Sequence, residues 1–228
     1  GRRALVQRLD VLAFPPRRED DTHRHPSSAD SSRDGRDRLT QVRRCLGPQD
    51  FPSAAGRTRP ARVRPGGAFF LVCPREHWRR RRGATGGVTN AFVSGFRYEG
   101  RCALASTVAH DSHHMIVVGT DRENMALAAN RLRAVGGGVV FYADGQEQAL
   151  VEMPIAGLMS DERAEIVARK ATALLEAMRR SGCTLNNAYM QHSLLALVVI
   201  PSLRISDQGL IDVDSFRKVP LFVDDETG

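Results

Sequence analysis

The sequence predicts a mixed α/β domain over residues 83–228, built of strands and two main helices. A largely disordered Arg-rich segment over 1–82 is expected to precede it. Three observations carry this reading. Composition breaks near Gly83: residues 1–82 hold 20 Arg, no Lys and 9 Asp or Glu, a formal charge of +11, whereas the remainder stands at −4. Beyond the break, apolar residues recur first at the strand period of two and then at the helical three-to-four spacing. Two of the helical stretches are also bracketed by helix start and stop residues.

Taken in order, Val88–Phe96 and Cys102–Ala109 alternate as strands, and Met115–Gly119 is a short, fully apolar one. Asp121 is placed to cap a helix with Glu123 in its positive first turn. Met125, Ala128, Ala129, Leu132 and Val135 form its buried stripe, and Gly136 can end it in the left-handed conformation. Gly136-Gly137-Gly138 then leads into a hairpin of Val139–Tyr142 and Ala149–Met153 about an Asp144-Gly145 turn. A phosphate cradle would precede a helix, whereas these glycines follow one, so a helix-to-strand turn is the favoured reading.

A second helix is expected from a Ser160 cap to a Gly182 stop, with Asp161 and Glu162 in its first turn. Its stripe is Ala164, Val167, Ala168, Ala171, Leu174, Leu175 and Met178, and Arg179 and Arg180 complement its negative end. Ser193–Ile200 is an apolar run halted by Pro201, and Val219–Val223 makes a last strand.

Residues 15–66 have sparse, aperiodic apolar positions among Pro, Ser, Asp, Arg and Gly, the composition of a chain that cannot bury enough surface to fold. Only Ala4–Val11 and Ala68–Val72 form islands able to pack. Three readings stay open for 1–82. One is a nucleic-acid-binding arm, with Arg79–Arg82 beside Trp78 contacting phosphates. The others are a solvated tail and an out-of-frame translation of G+C-rich DNA, which yields Arg without Lys. His23 and His25 have the HxH spacing of a metal-binding strand end, but Pro15-Pro16-Arg17-Arg18-Glu19-Asp20 precedes them where such a site needs an apolar strand.

The length corresponds to about one and a half domains. No run approaches 18 apolar residues, so no helix is expected to span a membrane. No secretory signal is evident in the first thirty residues. Cys45, Cys73, Cys102 and Cys183 form no CxxC pair, and a reduced, cytoplasmic protein is expected.

Chemistry concentrates in His110-Asp111-Ser112-His113-His114, between two apolar strands. Extended backbone would set His110, Ser112 and His114 on one face, and a helical turn would gather His110, His113 and His114. Either arrangement could bind metal, orient imidazole against carboxylate or move protons near neutral pH. One cluster does not complete a catalytic metal site, and a structural turn in which Asp111 caps local amides stands beside the functional reading.

Val108-Ala109-His110-Asp111-Ser112-His113, followed by Ile116-Val117-Val118-Gly119-Thr120, resembles the C-terminal domain of bacterial and archaeal adenine deaminases of the amidohydrolase superfamily. Phe92-Val93-Ser94-Gly95-Phe96, Asn130-Arg131-Leu132 with the triple glycine, and Pro154-Ile155-Ala156-Gly157-Leu158-Met159-Ser160-Asp161 keep the same order. So do Leu194-Leu195-Ala196-Leu197 with Ile200-Pro201, and Gly209-Leu210-Ile211-Asp212-Val213. The resemblance covers 83–225. His114 departs from it, standing where the family usually has Asn.

The resemblance implies hydrolysis of adenine to hypoxanthine and ammonia, with a divalent metal, manganese or iron, activating water and a carboxylate shuttling protons. It implies that the metal ligands belong to an N-terminal barrel, which at about 250 residues this chain is too short to supply. The chain alone is therefore expected to be inactive. His110, Asp111 and His113 match the family motif position by position and are implied to lie near the barrel mouth, orienting or shielding the base. Implied partners are the purine, a separately encoded barrel chain, or a second copy. A non-enzymatic nucleic-acid-binding module is the alternative function.

Overall fold

The computed structural model describes residues 2–4, 6–8, 68–73, 89–109, 113–206 and 208–224. Its centre is a seven-stranded sheet of β2 (Val6–Arg8), β3 (Ala68–Cys73), β4 (Thr89–Ser94), β5 (Cys102–Ser106), β6 (Met115–Gly119), β7 (Gly138–Ala143) and β8 (Gln146–Glu152). The spatial order is β2-β4-β3-β6-β5-β7-β8, and every pairing is antiparallel except β2 with β4. The strands β1 (Arg2–Ala4) and β12 (Phe222–Asp224) pair separately. The three strands found within residues 1–82 overlap or adjoin the two apolar islands, and β3 lies between β4 and β6 rather than at an edge. The fold is thus mixed α/β, as expected.

Side-chain alternation assigns the central strands two buried faces. Val118, Leu104 and Phe141 stand in register across β6, β5 and β7 on one face, and Val117, Ala105 and Val140 form the adjacent rung on the other. The second face carries α1 (Arg122–Val135), through Met125, Ala128, Ala129 and Leu132. The helix can approach closely because Gly119 has no side chain; a Cβ there would lie 2.6 Å from Met125 Cγ. The first face carries α2 (Ala164–Arg180), through Leu174, Ala177 and Met178, together with α3 (Ala188–Ser193), Leu195, Ile205 and Leu210. Burying each such aliphatic side chain stabilises the fold by about 1.5–3 kcal/mol.

The local signals for α1 hold in detail. The Asp121 carboxylate accepts from the Asn124 amide at 2.9 Å, and Gly136 ends the helix at φ 84°. Burial pushes the Asp121 carboxyl up, but the Asn124 amide and Arg101 outweigh it and hold the group below its ordinary value. Asp144 (φ 50°) and Gly145 (φ 77°) form the expected hairpin turn, although β8 begins at Gln146, three residues before the sequence suggested.

Helix α2 differs at its start. It begins at Ala164, and Ser160 accepts instead from the Glu162 amide at 3.3 Å. Lys170 donates to Glu162 at 2.5 Å and to Glu152 at 2.6 Å, tying the segment before the helix to the end of β8. Ala164 and Ala168, expected in the stripe, are exposed. The apolar run 193–200 is the end of α3 followed by a 3-10 turn, Leu194–Ala196. The single last strand is replaced by a small antiparallel sheet of β9 (Leu203–Ser206), β10 (Gly209–Asp212) and β11 (Arg217–Val219), plus the separate β12. No helix among the described residues is long and apolar enough to cross a membrane.

Candidate functional site

The β5–β6 connection, residues 107–114, leaves the sheet beside the start of β7 and the end of β8, since Ser106 pairs with Ile116 and Val139, and Gly138 with Glu152. Thr107 fastens this corner. Its hydroxyl accepts from the Gly138 amide at 2.8 Å and donates to the Gly157 carbonyl at 2.6 Å, while its own amide donates to the Gly138 carbonyl at 2.9 Å. One buried side chain thereby joins three stretches that are far apart in sequence: the histidine-bearing connection, the triple glycine and the Ile155–Ser160 loop.

The packing there leaves no space for side chains. A Cβ on Gly137 would lie 2.5 Å from Gly157 Cα, and one on Gly138 would lie 2.0 Å from the Val151 carbonyl oxygen. The amides of Gly136 and Gly137 both donate to the Leu132 carbonyl, and that of Gly138 to Thr107. All three are used internally, so the triple glycine is a helix-to-strand turn and not an anion cradle. Thr107→Val keeps the shape and removes the hydroxyl, leaving one buried donor and one buried acceptor with a lost bond. The expected loss is about 1–3 kcal/mol for each group by urea unfolding, largely recovered in Thr107→Ser. A Thr107→Val domain within about 0.5 kcal/mol of wild type would refute the fastening role.

Within the connection, the His113 amide donates to the Ala109 carbonyl at 2.6 Å, closing one turn, and His113 sits at φ 49°. His113 is exposed and His114 buried, so the two adjacent rings part instead of sharing a face. His110, Asp111 and Ser112 lie outside the described residues, as do His23, His25 and Arg79–Arg82. Left-handed backbone at His113 and Ala156 (φ 58°) on two neighbouring loops marks a corner whose shape the surrounding structure enforces.

Other reactive groups are placed where they are chemically quiet. Cys102 and Cys183 are free and buried; burial pushes the Cys102 thiol up to about 12 and raises that of Cys183. Neither is a thiolate nucleophile near neutrality. His192 is fully buried in α3, edge-on to Phe96 with ring centroids 6.3 Å apart, and burial lowers its pKa to about 3. It stays neutral across the physiological range. Thr107 and His192 went unmarked in the sequence. Thr107 bonds to residues 31 and 50 positions away, and His192 sits in a short helix that no periodic run announced. Among the described residues no three His, Cys, Asp or Glu side chains gather as a metal site, so the described part does not supply a ligand set for a divalent metal.

The family model described as "Adenine deaminase C-terminal domain" matches residues 77–217. The chain belongs to that family. It is 72% identical over 152 residues to the adenine deaminase of Mesorhizobium japonicum, covering 67% of this chain and 25% of that protein. It is 77% identical over 138 residues to that of Ruegeria pomeroyi, covering 60% and 23%. A more distant relative, the adenine deaminase of Moorella thermoacetica, is 45% identical over 141 residues, covering 62% and 24%. The chain thus spans about a quarter of the length of the curated relatives it matches. In this adenine deaminase C-terminal domain, the matched region contains the whole Thr107 corner, and β3 lies before its first residue.

Proposed function

We propose that this chain serves adenine deamination, adenine plus water giving hypoxanthine plus ammonia, as the C-terminal domain of a deaminase. In this reading the hydrolytic centre lies in the remaining three quarters of the relatives' length. The match over 77–217 to a domain named for that enzyme carries the proposal. The divalent metal, manganese or iron, would be held there, and no step is assigned to residues of this chain through it. His110, Asp111 and His113 would face that centre from the β5–β6 connection, where they orient the purine or shield it from water. The setting would be cytoplasmic purine salvage or catabolism.

Two preparations test this: the chain alone, and a chimera in which residues 77–217 replace the aligned segment of the Ruegeria pomeroyi enzyme. With manganese and adenine, the chain alone should form no hypoxanthine above a His110→Ala, His113→Ala control, while the chimera should form it continuously. Turnover by the chain alone would overturn its assignment as a partner domain. A folded chimera inactive on adenine would overturn the deaminase reading.

A further inference from the structure

The Ile155–Ser160 loop is built as a rigid apolar projection. Ile155 and Met159 exchange backbone hydrogen bonds of 3.1 Å as an isolated antiparallel bridge. Bridge partners direct their side chains to the same side. Both are nevertheless exposed, Ile155 to 46% and Met159 to 58%. Ala156 (φ 58°) and Gly157 (φ 72°) hold the tight turn between them, and the Thr107 hydroxyl pins it at the Gly157 carbonyl. Lys170 holds the far side of the loop through Glu152 and Glu162. Two large apolar side chains are thus held side by side in water on an ordered loop, with three anchors behind them.

Resting on the deaminase reading above, we propose that Ile155 and Met159 are the seat on this domain for the catalytic portion of an adenine deaminase chain. The occupant follows from length and placement. The relatives are about four times longer than the segment they share with this chain, so in each of them the domain is joined to a much larger portion that an exposed apolar face can meet. The Ile155–Met159 loop is fastened through Thr107 to the connection bearing the histidines. A partner seated on Ile155 and Met159 therefore sets the position of that connection.

Hydroxyl-radical footprinting of the chimera against this chain alone tests the assignment. Labelling of Ile155 and Met159 should fall roughly fivefold or more in the chimera, as for residues at the dry centre of an interface. Val199 and Phe216, 63% and 73% exposed and outside the loop, should keep their rates. Equal Met159 labelling in both proteins overturns the proposal. So does Met159 protection in the chain alone that disappears on dilution, because the occupant is then a second copy. If the chimera misfolds, buried Met125 and Met178 become labelled. The comparison then passes to the native Ruegeria pomeroyi enzyme, where residues aligned with 155 and 159 must label more slowly than those aligned with 199 and 216 once each rate is divided by the intrinsic reactivity of its side chain. Equal rates there also overturn it. Activity separates the two proposals: deamination with Met159 still exposed removes only the docking seat, and protection without deamination removes only the catalytic reading.

Discussion

Gly138→Ala is expected to abolish most of the stability of the domain, at a cost of about 4 kcal/mol or more. The wild-type backbone stands at φ 133°, a conformation that suits glycine alone, and the new Cβ would lie 2.0 Å from the Val151 carbonyl oxygen. That oxygen belongs to the partner strand of the β7–β8 ladder, so it cannot swing away as a flexible side chain would. Relief would require the strands to part, which would also disturb the Thr107 bond to the Gly138 amide. Gly145→Ala supplies the comparison, since Gly145 also has positive φ (77°) but nothing within 4 Å of an added Cβ. Only backbone strain acts there, about 1 kcal/mol. Urea unfolding of both variants separates crowding from strain. Equal losses would mean that the close approach at Gly138 is relieved at little cost.

Acid should destabilise the protein through His192, with a slope near 1.4 kcal/mol per pH unit from this group alone. In the unfolded chain the imidazole protonates below its ordinary value of 6.5, whereas in the folded chain burial resists the proton until about pH 3. Between those values the unfolded state binds the extra proton, so stability falls as pH falls. Above 6.5 both states are neutral and the contribution vanishes. Summed across the window, the effect is on the order of 5 kcal/mol. Neither ring nitrogen has a hydrogen-bond partner among the described atoms. His192→Leu, close in volume, should therefore be at least as stable as wild type at pH 7.5 and should lose less on acidification. Other groups, including the carboxyls of Asp121 and Glu152, also titrate toward acid, so the difference between the two proteins is the decisive quantity. Parallel stability curves for wild type and His192→Leu from pH 7 to 4 would dismiss the ring as the acid-sensitive group.

Both effects lie outside the histidine cluster that dominates the sequence. His110-Asp111-Ser112-His113 was one of several strings that carried the family resemblance, and the match over 77–217 bears that resemblance out. What it left open was direction. The turn closed by the His113 amide separates an exposed His113 from a buried His114, a choice that extended and helical readings of the same five residues predicted differently. The Ile155–Asp161 stretch was likewise legible as a family motif, while its tether to Thr107 and its exposed pair of apolar side chains were not.

The sequence by itself determined the elements whose causes are local. Asp121 and Gly136 bound α1 because a cap acts on amides and carbonyls within one turn, and Asp144-Gly145 makes the hairpin because its conformation is a property of two residues. It also determined the family, through short strings in a kept order. Tertiary structure alone decided which strands are neighbours, seating Ala68–Cys73 between β4 and β6 across an Arg-rich stretch, because pairing depends on buried faces that meet only when the chain closes on itself. It decided the late start of α2, before which Glu162 is held, with Glu152 of β8, by Lys170 from the second turn of the helix. It also decided the role of Thr107, a residue of no periodic note whose hydroxyl gains meaning only from two backbone groups brought beside it by the fold.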